Sequence, residues 1–344
     1  MRKRILISDI AKNLGVSVTT VSFILNGKAK EKRISEGLTK RVLDYVKKVG
    51  YKPNQLAQSL RTGQSKILGL IVEDISNPFF SNVAKYIERI AYDNGYHIIY
   101  CSMDNDETKA RELIQLFYDR QVDGYIITPP EGLEDTLSNL IKNNVPLVLF
   151  DRYIPQLETH YVVLDNFNGA FDATKHLLEN QQNKRVGFVS LYSNQTQMRD
   201  RLEGYMKAVD EFQQQAFIKK VKIDEVEDSS VDQIHEFIST NKLDAVLFAT
   251  NYLAIDGLKA VKKFGMKLPK MVAFDDHTLF KLYEPGISVV TQDTAAIANE
   301  LIHTLLNEIK GKNKELQKIV IPSELLVRGS SVISEESLEQ TSLK

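Results

Sequence analysis

From Lys66 onward, short apolar runs alternate with segments long enough for amphipathic helices, and this alternation constrains the fold of the 344-residue chain more than any other feature. A first series of strands is predicted at 67–72, 97–101, 124–128 and 147–151, and a second series at 161–164, 186–190, 245–249 and 271–274. Strands that alternate with helices form βαβ units and parallel sheets. The sequence therefore predicts an α/β fold with two doubly wound lobes and a cleft at the carboxyl ends of the strands.

Charge is distributed unevenly along the chain, although the whole carries a formal net charge of only −1. Residues 1–66 contain fifteen lysines and arginines against four acidic residues, a net charge of +11, so the remainder carries −12. A basic end on an acidic body is typical of a protein in which one module binds a polyanion. A solvated basic tail is the alternative, but the apolar periodicity of this segment favours a folded module.

Two short helices joined by a glycine turn are predicted within this basic end. Ser8 is the predicted N-cap of the first helix, which ends at Gly15, and Ser17 is the predicted N-cap of the second, which ends near Asn26. Such a pair is a helix-turn-helix, whose second helix lies in the major groove of DNA.

The second helix has one apolar side, and several other residues lie on the opposite side of the helix. The apolar side consists of Val21, Ile24 and Leu25. The residues that fall largely away from it are Thr19, Ser22, Phe23 and Asn26. Because the N-terminal residues of a recognition helix contact base edges, Val18 and Thr19 are the leading predicted base contacts. Their methyl groups suit the thymine methyl group, and the threonine hydroxyl bonds either base type.

A third helix and a short fourth segment follow in the basic end. The third helix is predicted over 35–49, ended by Gly50. Its predicted inward-facing residues are Leu38, Val42, Leu43 and Val46. Asn54 is then the predicted cap of a short helix on which Ala57 and Leu60 are spaced i, i+3. So short a helix is marginal in water and needs a partner helix, DNA or both.

Three segments, ISDIAKNLGVSVTTVSFILNG, GYKPNQLAQSLRTG and LGLIVEDISNPFF, occur in this order and resemble the lactose-repressor (LacI/GalR) family of bacterial transcription regulators. The resemblance covers nearly the whole chain. It implies a homodimer whose paired hinge helices insert Leu60 into the minor groove at the centre of a pseudo-palindromic operator, with Ala57 beside it. The residues that match phosphate or capping positions are Ser17, Thr20, Asn26 and Asn54. The alternative for Leu60 is a core leucine in a linker helix.

Two features near the recognition helix depart from the family pattern. Phe23 stands where relatives usually carry an arginine that reads guanine, and the loop at 27–34 is longer than is common there. Two interpretations of Phe23 remain open: it packs on a thymine methyl group in the groove, or the longer loop covers it. We favour the DNA contact. Operator sequences of relatives therefore do not transfer to this chain.

Polar and aromatic residues follow several of the predicted strands, where a cleft between the lobes is expected. They are Asn77, Phe79, Phe80, Asp151, Asn251 and Asp275, with Arg201 at the start of a helix. Carboxylates and amides supply acceptors and arginine supplies a planar group of donors, which suits hydroxyls or a carboxylate, while the aromatic rings suit stacking on a sugar or base. By resemblance, these positions are effector contacts, together with Gln292 and with Tyr252 in place of the usual aspartate. Strand-end capping and interlobe salt bridges are the alternatives.

The predicted organisation is a DNA-binding domain at 1–53, a hinge at 54–63 and an effector-binding and dimerisation domain at 64–344. By resemblance, the chain crosses between the lobes near residues 163, 292 and 324. Lobe 1 then spans about 64–163 and 293–324, and lobe 2 about 164–291 and 325–344. The C-terminal tail has no sustained heptads, so we expect a dimer without a tetramerising coil.

Other function classes are disfavoured. No phosphate-binding loop, dinucleotide-binding turn or nucleophile elbow occurs, and the six histidines are dispersed. No catalytic residue, metal or cofactor is therefore predicted. The single cysteine excludes an internal disulfide, and no run approaches the roughly 18 apolar residues of a membrane span. An extracytoplasmic sugar-binding protein is disfavoured because no secretory segment is recognised, so we expect a cytoplasmic protein without a membrane partner.

The sequence thus predicts a sequence-specific DNA-binding regulator, expected to be a repressor, whose operator affinity is controlled by a small effector in the interlobe cleft. A sugar is the expected effector, because few basic residues are predicted in the cleft. Control by a nucleobase or by a protein co-repressor is the alternative. The expected partners are double-stranded operator DNA, the effector and a second copy of the chain.

Overall fold

The computed structural model describes residues 5–51, 63–179, 183–222 and 228–332. The chain divides into two compact units, one up to Ser65 and one from Lys66 onward. We call the first unit the head and the second the body, and describe each by itself.

In the described residues of the head, the helices are α1 (Ile7–Leu14), α2 (Val18–Leu25) and α3 (Glu36–Val49). Their apolar sides enclose a small core of Ile10, Ala11, Val21, Ile24 and Val42. Gly15 joins α1 to α2 with a φ of 65°, which glycine adopts without strain. Ser17 accepts a hydrogen bond from the backbone N–H of Thr20, so this predicted N-cap is confirmed, and Ser35 accepts one from the backbone N–H of Leu38 and caps α3.

Two details of the head differ from the sequence prediction. The first helix begins at Ile7, before the predicted cap Ser8, and the Asp9 carboxylate accepts a hydrogen bond of 2.9 Å from the backbone N–H that precedes the helix. Leu43 is 45% exposed and does not face inward. The core-facing row of α3 runs through Val42, and the next residue lies about 100° further around the helix.

The body consists of two lobes, and the chain passes between them more than once. Lobe 1 begins with β1 (Ile67–Val72), α4 (Pro78–Asp93), β2 (His97–Ser102), α5 (Glu107–Asp119), β3 (Gly124–Ile127), α6 (Glu134–Lys142), β4 (Leu147–Phe150) and β5 (His160–Leu164). Lobe 2 contains α7 (Asn166–Glu179), β6 (Val186–Leu191), α8 (Thr196–Glu211), β7 (Phe217–Val221), α9 (Ser229–Asn241), β8 (Ala245–Phe248), α10 (Asn251–Phe264), β9 (Lys270–Phe274), α11 (Thr278–Leu282) and β10 (Ser288–Gln292). The chain returns to lobe 1 for α12 (Thr294–Ile309) and β11 (Lys318–Ile321), and then adds β12 (Ser323–Leu326) to lobe 2.

In the part of the chain that the structure describes, each lobe is built on a six-stranded sheet. The strand order is β11-β5-β4-β3-β1-β2 in lobe 1 and β12-β10-β9-β8-β6-β7 in lobe 2. Neighbouring strands are parallel, except that β12 runs antiparallel to β10. The predicted α/β fold with two doubly wound lobes is therefore confirmed.

Helices cover both faces of each sheet, which explains why the central strands read as continuous apolar runs. In β1, Leu68, Leu70 and Val72 pack against α4 and α12, whereas Ile71 packs on the opposite face against α5 and α6. Successive side chains of a strand point to opposite faces, so one apolar strand serves two cores. The carboxyl ends of the strands are left to form the boundary between the lobes.

Four strands were not predicted, and one was placed in the wrong series. The strand at 161–164 heads the second series in the sequence analysis, but β5 pairs with β4 and β11 in lobe 1. Three of the missed strands, β7, β11 and β12, lie at sheet edges, and the fourth is β10. Edge strands carry charged residues that prevent pairing with other chains, as Lys219 and Lys220 do in β7. Their apolar pattern is correspondingly weak.

Helices α7 and α8 pack closely where Gly204 lies in α8. A Cβ atom at Gly204 would lie 2.2 Å from the backbone oxygen of Phe167 in α7 and 3.0 Å from the Cβ of Ala170. Because the nearest atom belongs to the backbone of Phe167, no change of side-chain rotamer removes the clash. A residue without a Cβ is therefore required at this helix crossing.

We expect Gly204→Ala to lower the free energy of unfolding of the body by about 1–3 kcal/mol, because the added methyl group forces α7 and α8 apart. Urea denaturation followed by circular dichroism measures the change. Met206→Ala on the same helix, at an exposed position, is the control and is expected to change stability by less than about 0.5 kcal/mol. Equal effects of the two substitutions would contradict the close-packing argument.

Candidate DNA-binding and effector sites

The N-terminal end of α2 presents the predicted base-reading residues to solvent. Val18, the first residue of the helix, is 45% exposed, and Thr19 is exposed beside it. Ser17 Oγ accepts a hydrogen bond of 3.0 Å from the backbone N–H of Thr20 and lies 2.8 Å from Thr20 Oγ1. The Ser17 and Thr20 side chains therefore close the helix end, while Val18 and Thr19 extend outward.

Phe23 is only partly covered by the loop that follows α2. The backbone N–H of Lys28 donates to the Phe23 oxygen at 2.9 Å, and Lys32 Nζ lies 5.5 Å from the centroid of the Phe23 ring. A lysine at this distance interacts favourably with an aromatic face. The ring keeps intermediate exposure, so the loop contacts it and still leaves part of it accessible. Each of the two interpretations of Phe23 therefore retains a physical basis.

Asn26 and Ser22 occupy the C-terminal end of the same helix. Asn26 Nδ2 donates to the backbone oxygen of Ser22 at 2.6 Å, which satisfies a carbonyl at the end of α2. This arrangement matches the capping role that was one of the alternatives for Asn26. The remaining predicted DNA contacts, Asn54, Ala57 and Leu60, lie outside the described residues.

In the body, Asp151 and Asp275 occupy equivalent positions, directly after β4 in lobe 1 and directly after β9 in lobe 2. Both have left-handed backbone conformations, with φ of 66° and 68°. Such conformations cost free energy for residues other than glycine and concentrate at functional sites. The pKa of both carboxyl groups is raised, that of Asp151 to about 6, mainly because the groups are buried, and the nearby Glu73 contributes in the same direction.

Arg201 of α8 is 2% exposed and connects three elements of lobe 2. Its Nε donates to Asn166 Oδ1 at 2.7 Å, and its Nη1 donates to the backbone oxygen of Ala249 after β8. The guanidinium lies 4.0 Å from the centroid of the Phe274 ring. Its charge lowers the pKa of both Asp151 and Asp275, which opposes the effect of burial. Arg201 is thus a buried cation between two carboxyl groups and is held in place by protein contacts.

Amide side chains connect the lobes and the crossover. Asn251 Nδ2, at the start of α10, donates to Asn77 Oδ1 of lobe 1 at 3.1 Å. Gln292 Nε2, at the crossover after β10, donates to Asp275 Oδ1. Tyr252 lies next to Asn251, and burial raises the pKa of its hydroxyl group. A ligand that bonded these amides would exchange an interlobe contact for its own.

The two phenylalanines after β1 differ in position. In the core of lobe 1, Phe80 packs edge to face against both Phe79 and Phe150, and the rings of Phe79 and Phe150 are tilted by 37° to each other. Phe79 also lines a cavity of about 250 Å³ beside the crossover, together with Asp275 and Gln292. Phe80 is 4% exposed and does not line it, because its position on α4 turns its ring into the core. Any stacking surface from this pair therefore comes from Phe79.

Sequence reasoning missed a buried arginine at the lobe boundary. Arg152, directly after Asp151, is 1% exposed, and its Nη2 donates to Glu73 Oε2 at 3.0 Å and to Asn105 Oδ1 at 2.7 Å. Its Nη1 donates to Gln195 Oε1 across the boundary in lobe 2. These residues come from loops after four different strands, so no local pattern joins them. The charged pair 151–152 directly after an apolar strand is the signal that could have found this arginine.

Further hydrogen bonds cross the boundary on the same side as Arg152. Glu131 of lobe 1 accepts from the backbone N–H of Asn194 at 2.8 Å, and the backbone N–H of Tyr153 donates to Thr196 Oγ1 at 3.3 Å. The structure thus brings eight of the nine predicted effector residues to the lobe boundary, which are Asn77, Phe79, Asp151, Arg201, Asn251, Tyr252, Asp275 and Gln292. It adds Glu73, Asn105, Arg152 and Gln195 to them.

Two features are absent from the described residues. Among these residues, no helix is long and apolar enough to cross a membrane. The same residues contain no group of three or more histidine, cysteine, aspartate or glutamate side chains placed to hold a metal ion.

A helix-turn-helix head attached to a two-lobed body, with buried polar groups at the lobe boundary, defines a class of protein: a DNA-binding regulator that responds to a ligand. Comparison with protein families agrees with this class. Residues 68–313 match the family described as periplasmic binding protein domain, and residues 6–54 match the family described as bacterial regulatory proteins, lacI family.

Known relatives align along almost the full chain. The transcriptional repressor PurR of Haemophilus influenzae is 28% identical over 333 residues, covering 94% of this chain and 98% of that protein. The transcriptional regulator DegA of Bacillus subtilis is 29% identical over 339 residues, covering 94% and 97%. Among solved structures, the lac repressor dimer bound to operator superimposes with a TM-score of 0.82 at 20% identity, covering 96% of this chain and 100% of that one.

The chain belongs to the LacI family of bacterial regulatory proteins, as its motifs predicted. It is a DNA-binding transcriptional repressor under the control of an effector. The family is made of transcriptional regulators and not of enzymes.

The raised pKa of Asp151 predicts how stability depends on pH. The value of about 6 in the folded body lies above the ordinary value of 3.8, so between these values the native state binds more protons than the unfolded state. Stability is therefore lost as the pH rises through this window. The Asp151→Asn variant has no carboxyl group at this position and is not expected to lose stability in this way. We therefore expect the free energy of unfolding of the variant to equal that of the unsubstituted chain at about pH 4 and to exceed it by about 2–3 kcal/mol above pH 7.

Urea denaturation across this pH range measures the difference. Asp172→Asn, at an exposed position of α7, is the control and is expected to change stability by less than about 0.5 kcal/mol throughout. A stability difference for Asp151→Asn that stays constant with pH would show that burial does not control this carboxyl group.

Proposed function

We propose that this chain is a homodimeric repressor that binds a pseudo-palindromic operator through α2 and is controlled by a neutral sugar bound between the lobes. The observation that carries the proposal is the set of buried carboxyl and amide groups from both lobes that meet around Arg201. As a DNA-binding protein, it acts in the cytoplasm.

The proposed contacts to DNA follow from the exposed end of α2. Val18 and Thr19 read base edges, and their methyl groups favour thymine. Phe23 adds an apolar surface beside them, held on one side by Lys32. The residues proposed to contact phosphates or shape the helix ends are Ser17, Thr20, Ser22, Asn26 and Asn54. From the family resemblance, Leu60 is the proposed minor-groove wedge, with Ala57 next to it.

A neutral sugar fits the charges at the lobe boundary. Asp151 and Asp275 are acceptors, while Nε and Nη1 of Arg201 are already bonded to Asn166 and Ala249, so an anionic ligand would meet two carboxyl groups and a partly occupied arginine. Sugar hydroxyls both donate and accept, which suits carboxyl groups beside the amides of Asn251 and its neighbours. Two structurally similar proteins support a sugar: one is a transcriptional regulator CelR–cellobiose complex, and another was solved with D-xylulofuranose.

A second copy of the chain is the proposed partner of one side of lobe 1. Strand β2 lies at the edge of its sheet, and Ile99 and Tyr100 of this strand are exposed, as are Tyr86 and Tyr92 of α4. An exposed edge strand with large apolar side chains pairs with other chains unless it is covered. A homodimer buries this surface and brings two heads to one operator, which matches its two-fold symmetry.

The proposed control is a shift between two lobe arrangements. The lobes meet through individual hydrogen bonds such as Asn251 to Asn77, which a ligand hydroxyl can replace at little cost. A ligand that binds one arrangement better increases its population. Because the head is joined to lobe 1 of each copy, a change in lobe arrangement is the proposed route from the effector to the operator.

We expect Asp275→Asn to weaken sugar binding at least tenfold, because a hydrogen bond from a hydroxyl to an ionised group is lost. Operator affinity without sugar is expected to stay within about threefold. A thermal-shift screen of sugars, sugar phosphates and nucleobases, followed by titration calorimetry, identifies the ligand and measures its affinity. Asp119→Asn on the exposed side of α5 is the control. If a nucleobase raised the melting temperature more than any sugar, the assignment of a sugar as the effector would be contradicted.

We expect Phe23→Arg to change base preference at one position in each operator half-site toward guanine, because arginine bonds guanine O6 and N7. Selection from a randomised operator library measures the preference. Leu43→Arg, at an exposed position of α3, is the control and is expected to leave base preference unchanged. Unchanged preference together with a less stable head for Phe23→Arg would assign the ring to the loop and not to DNA.

A further inference from the structure

A second cavity lies at the lobe boundary, apart from all the residues predicted to bind the effector. It has a volume of about 380 Å³ and is lined in lobe 1 by 129–132, 134 and 152–156, and in lobe 2 by 194–196 and 199. We call it the outer cavity. The cavity beside the crossover, which holds Phe79, Asp275 and Gln292, shares no lining residue with it. Its volume falls in the range typical of small-molecule sites.

Arg152 gives the outer cavity an unsatisfied donor. Its side chain is 1% exposed and lines the cavity, and in the described structure its Nε has no hydrogen-bond partner. Asp151 Oδ2 lies 4.0 Å from this nitrogen, beyond hydrogen-bond distance. A buried polar atom without a partner costs free energy and marks the place of a missing water or ligand. Because Arg152 lines the outer cavity, a ligand bound there lies beside this side chain and can supply the missing acceptor.

We propose that the outer cavity is a second binding site, which takes an uncharged polyhydroxylated molecule such as a sugar. A hydroxyl group accepts from Arg152 Nε and donates its own proton to a carboxylate, and Glu131 and Glu134 supply carboxylates in the lining of the same cavity. The outer cavity is separate from the proposed effector site, and the proposal does not depend on which ligand binds at the effector site.

The charges of the lining exclude an ionic ligand. Arg152 and Arg199 are matched by Glu131 and Glu134 around the same space. Arg152 is already paired with Glu73 at 3.0 Å, so little positive charge is left for an anion. An anionic group would also face the carboxylates of Glu131 and Glu134, and a cation would displace a paired arginine. A neutral ligand meets neither cost.

The walls of the outer cavity are rigid and partly apolar, which suits a ring. Pro129, Pro130 and Pro155 contribute fixed backbone, and the ring of Tyr153 is stacked on that of Tyr161 with centroids 4.4 Å apart and planes 15° apart. Aromatic rings pack on the C–H faces of sugars while polar neighbours bond the hydroxyls. Asn194 and its lobe 2 neighbours supply those polar neighbours.

The outer cavity is also connected to the arrangement of the lobes. The groups that line it make the interlobe bonds themselves: Arg152 to Gln195, and Glu131 to the backbone N–H of Asn194. A molecule in the cavity therefore competes with these bonds or supports them, and its affinity depends on the lobe arrangement. Binding there changes the same equilibrium as binding at the proposed effector site.

The chain contains no tryptophan, so a single substitution makes a specific reporter. We expect the emission of Tyr153→Trp in the full chain to change saturably when cellobiose, D-glucose or D-xylose is added, because the new ring lines the outer cavity. D-glucose 6-phosphate is expected to bind at least tenfold more weakly than D-glucose. Tyr118→Trp, at an exposed position of α5, is the control and is expected not to respond.

A second variant tests the role of Arg152 directly. Arg152→Lys keeps the positive charge beside Glu73 but removes the Nε donor, and we expect calorimetry to show at least tenfold weaker binding of the responding sugar. If that variant does not fold, Gln156→Phe, which narrows the cavity rim, is expected to have the same effect.

Two outcomes would overturn the proposal. In the first, adding Asp275→Asn to the Tyr153→Trp variant abolishes the change in emission. Sugar would then bind only at the proposed effector site, and the proposed function would remain intact. The other is the absence of any response at position 153 to the three sugars. In that case, a thermal shift by the same sugars that Asp275→Asn removes still supports sugar control, whereas no shift at all also contradicts the proposed sugar effector.

Discussion

Two buried guanidinium groups, those of Arg152 and Arg201, organise the lobe boundary. A buried charge is tolerated only when it is paired and hydrogen-bonded, so each arginine dictates what surrounds it. Arg201 is bonded to Asn166 and to the backbone after β8, and it thereby joins the beginning of lobe 2 to its central strands. Arg152 collects partners from both lobes. The carboxyl groups at this boundary compensate the charge of these cations.

The same requirement explains the backbone conformation of Asp151 and Asp275. Both residues turn the chain sharply after a buried strand, at a φ that most side chains avoid, and this places each carboxyl group beside an arginine. The strain is compensated by the packing of β4 and β9 beneath them. A site of this kind is stiff within each lobe. Between the lobes it depends on a few hydrogen bonds, and this contrast permits a ligand to change the lobe arrangement without disturbing either core.

Much of the fold could be predicted from sequence because its signals are local. The apolar runs of the central strands, the serine caps of α2 and α3 and the glycine between α1 and α2 each depend on neighbouring residues only. Three of the four edge strands, β7, β11 and β12, could not be predicted in the same way. Strand β7 reads FIKKV, in which the lysines that protect the edge remove the apolar pattern by which a strand is recognised.

The site was predictable where a residue follows directly on a recognisable strand, as for Asp151 and Asp275. It was not predictable where side chains from several loops meet. Glu73, Asn105 and Gln195 are ordinary polar residues in the sequence, and only the order of strands in the two sheets brings them to Arg152. Phe80 shows the opposite case, because its place in the motif predicts a cleft residue whereas the phase of α4 turns it into the core.

The positions of the two cavities relative to the interlobe bonds have a thermodynamic consequence. The cavity beside the crossover borders the Gln292–Asp275 contact, and the outer cavity borders the Arg152–Gln195 contact, so both depend on how the lobes meet. If a ligand in one cavity changes the lobe arrangement, it changes the affinity of the other cavity by a factor that must be the same in both directions. A repressor with two such cavities responds to the concentrations of two ligands at once. The hydrogen bonds between its lobes set the strength of the coupling between the two binding events.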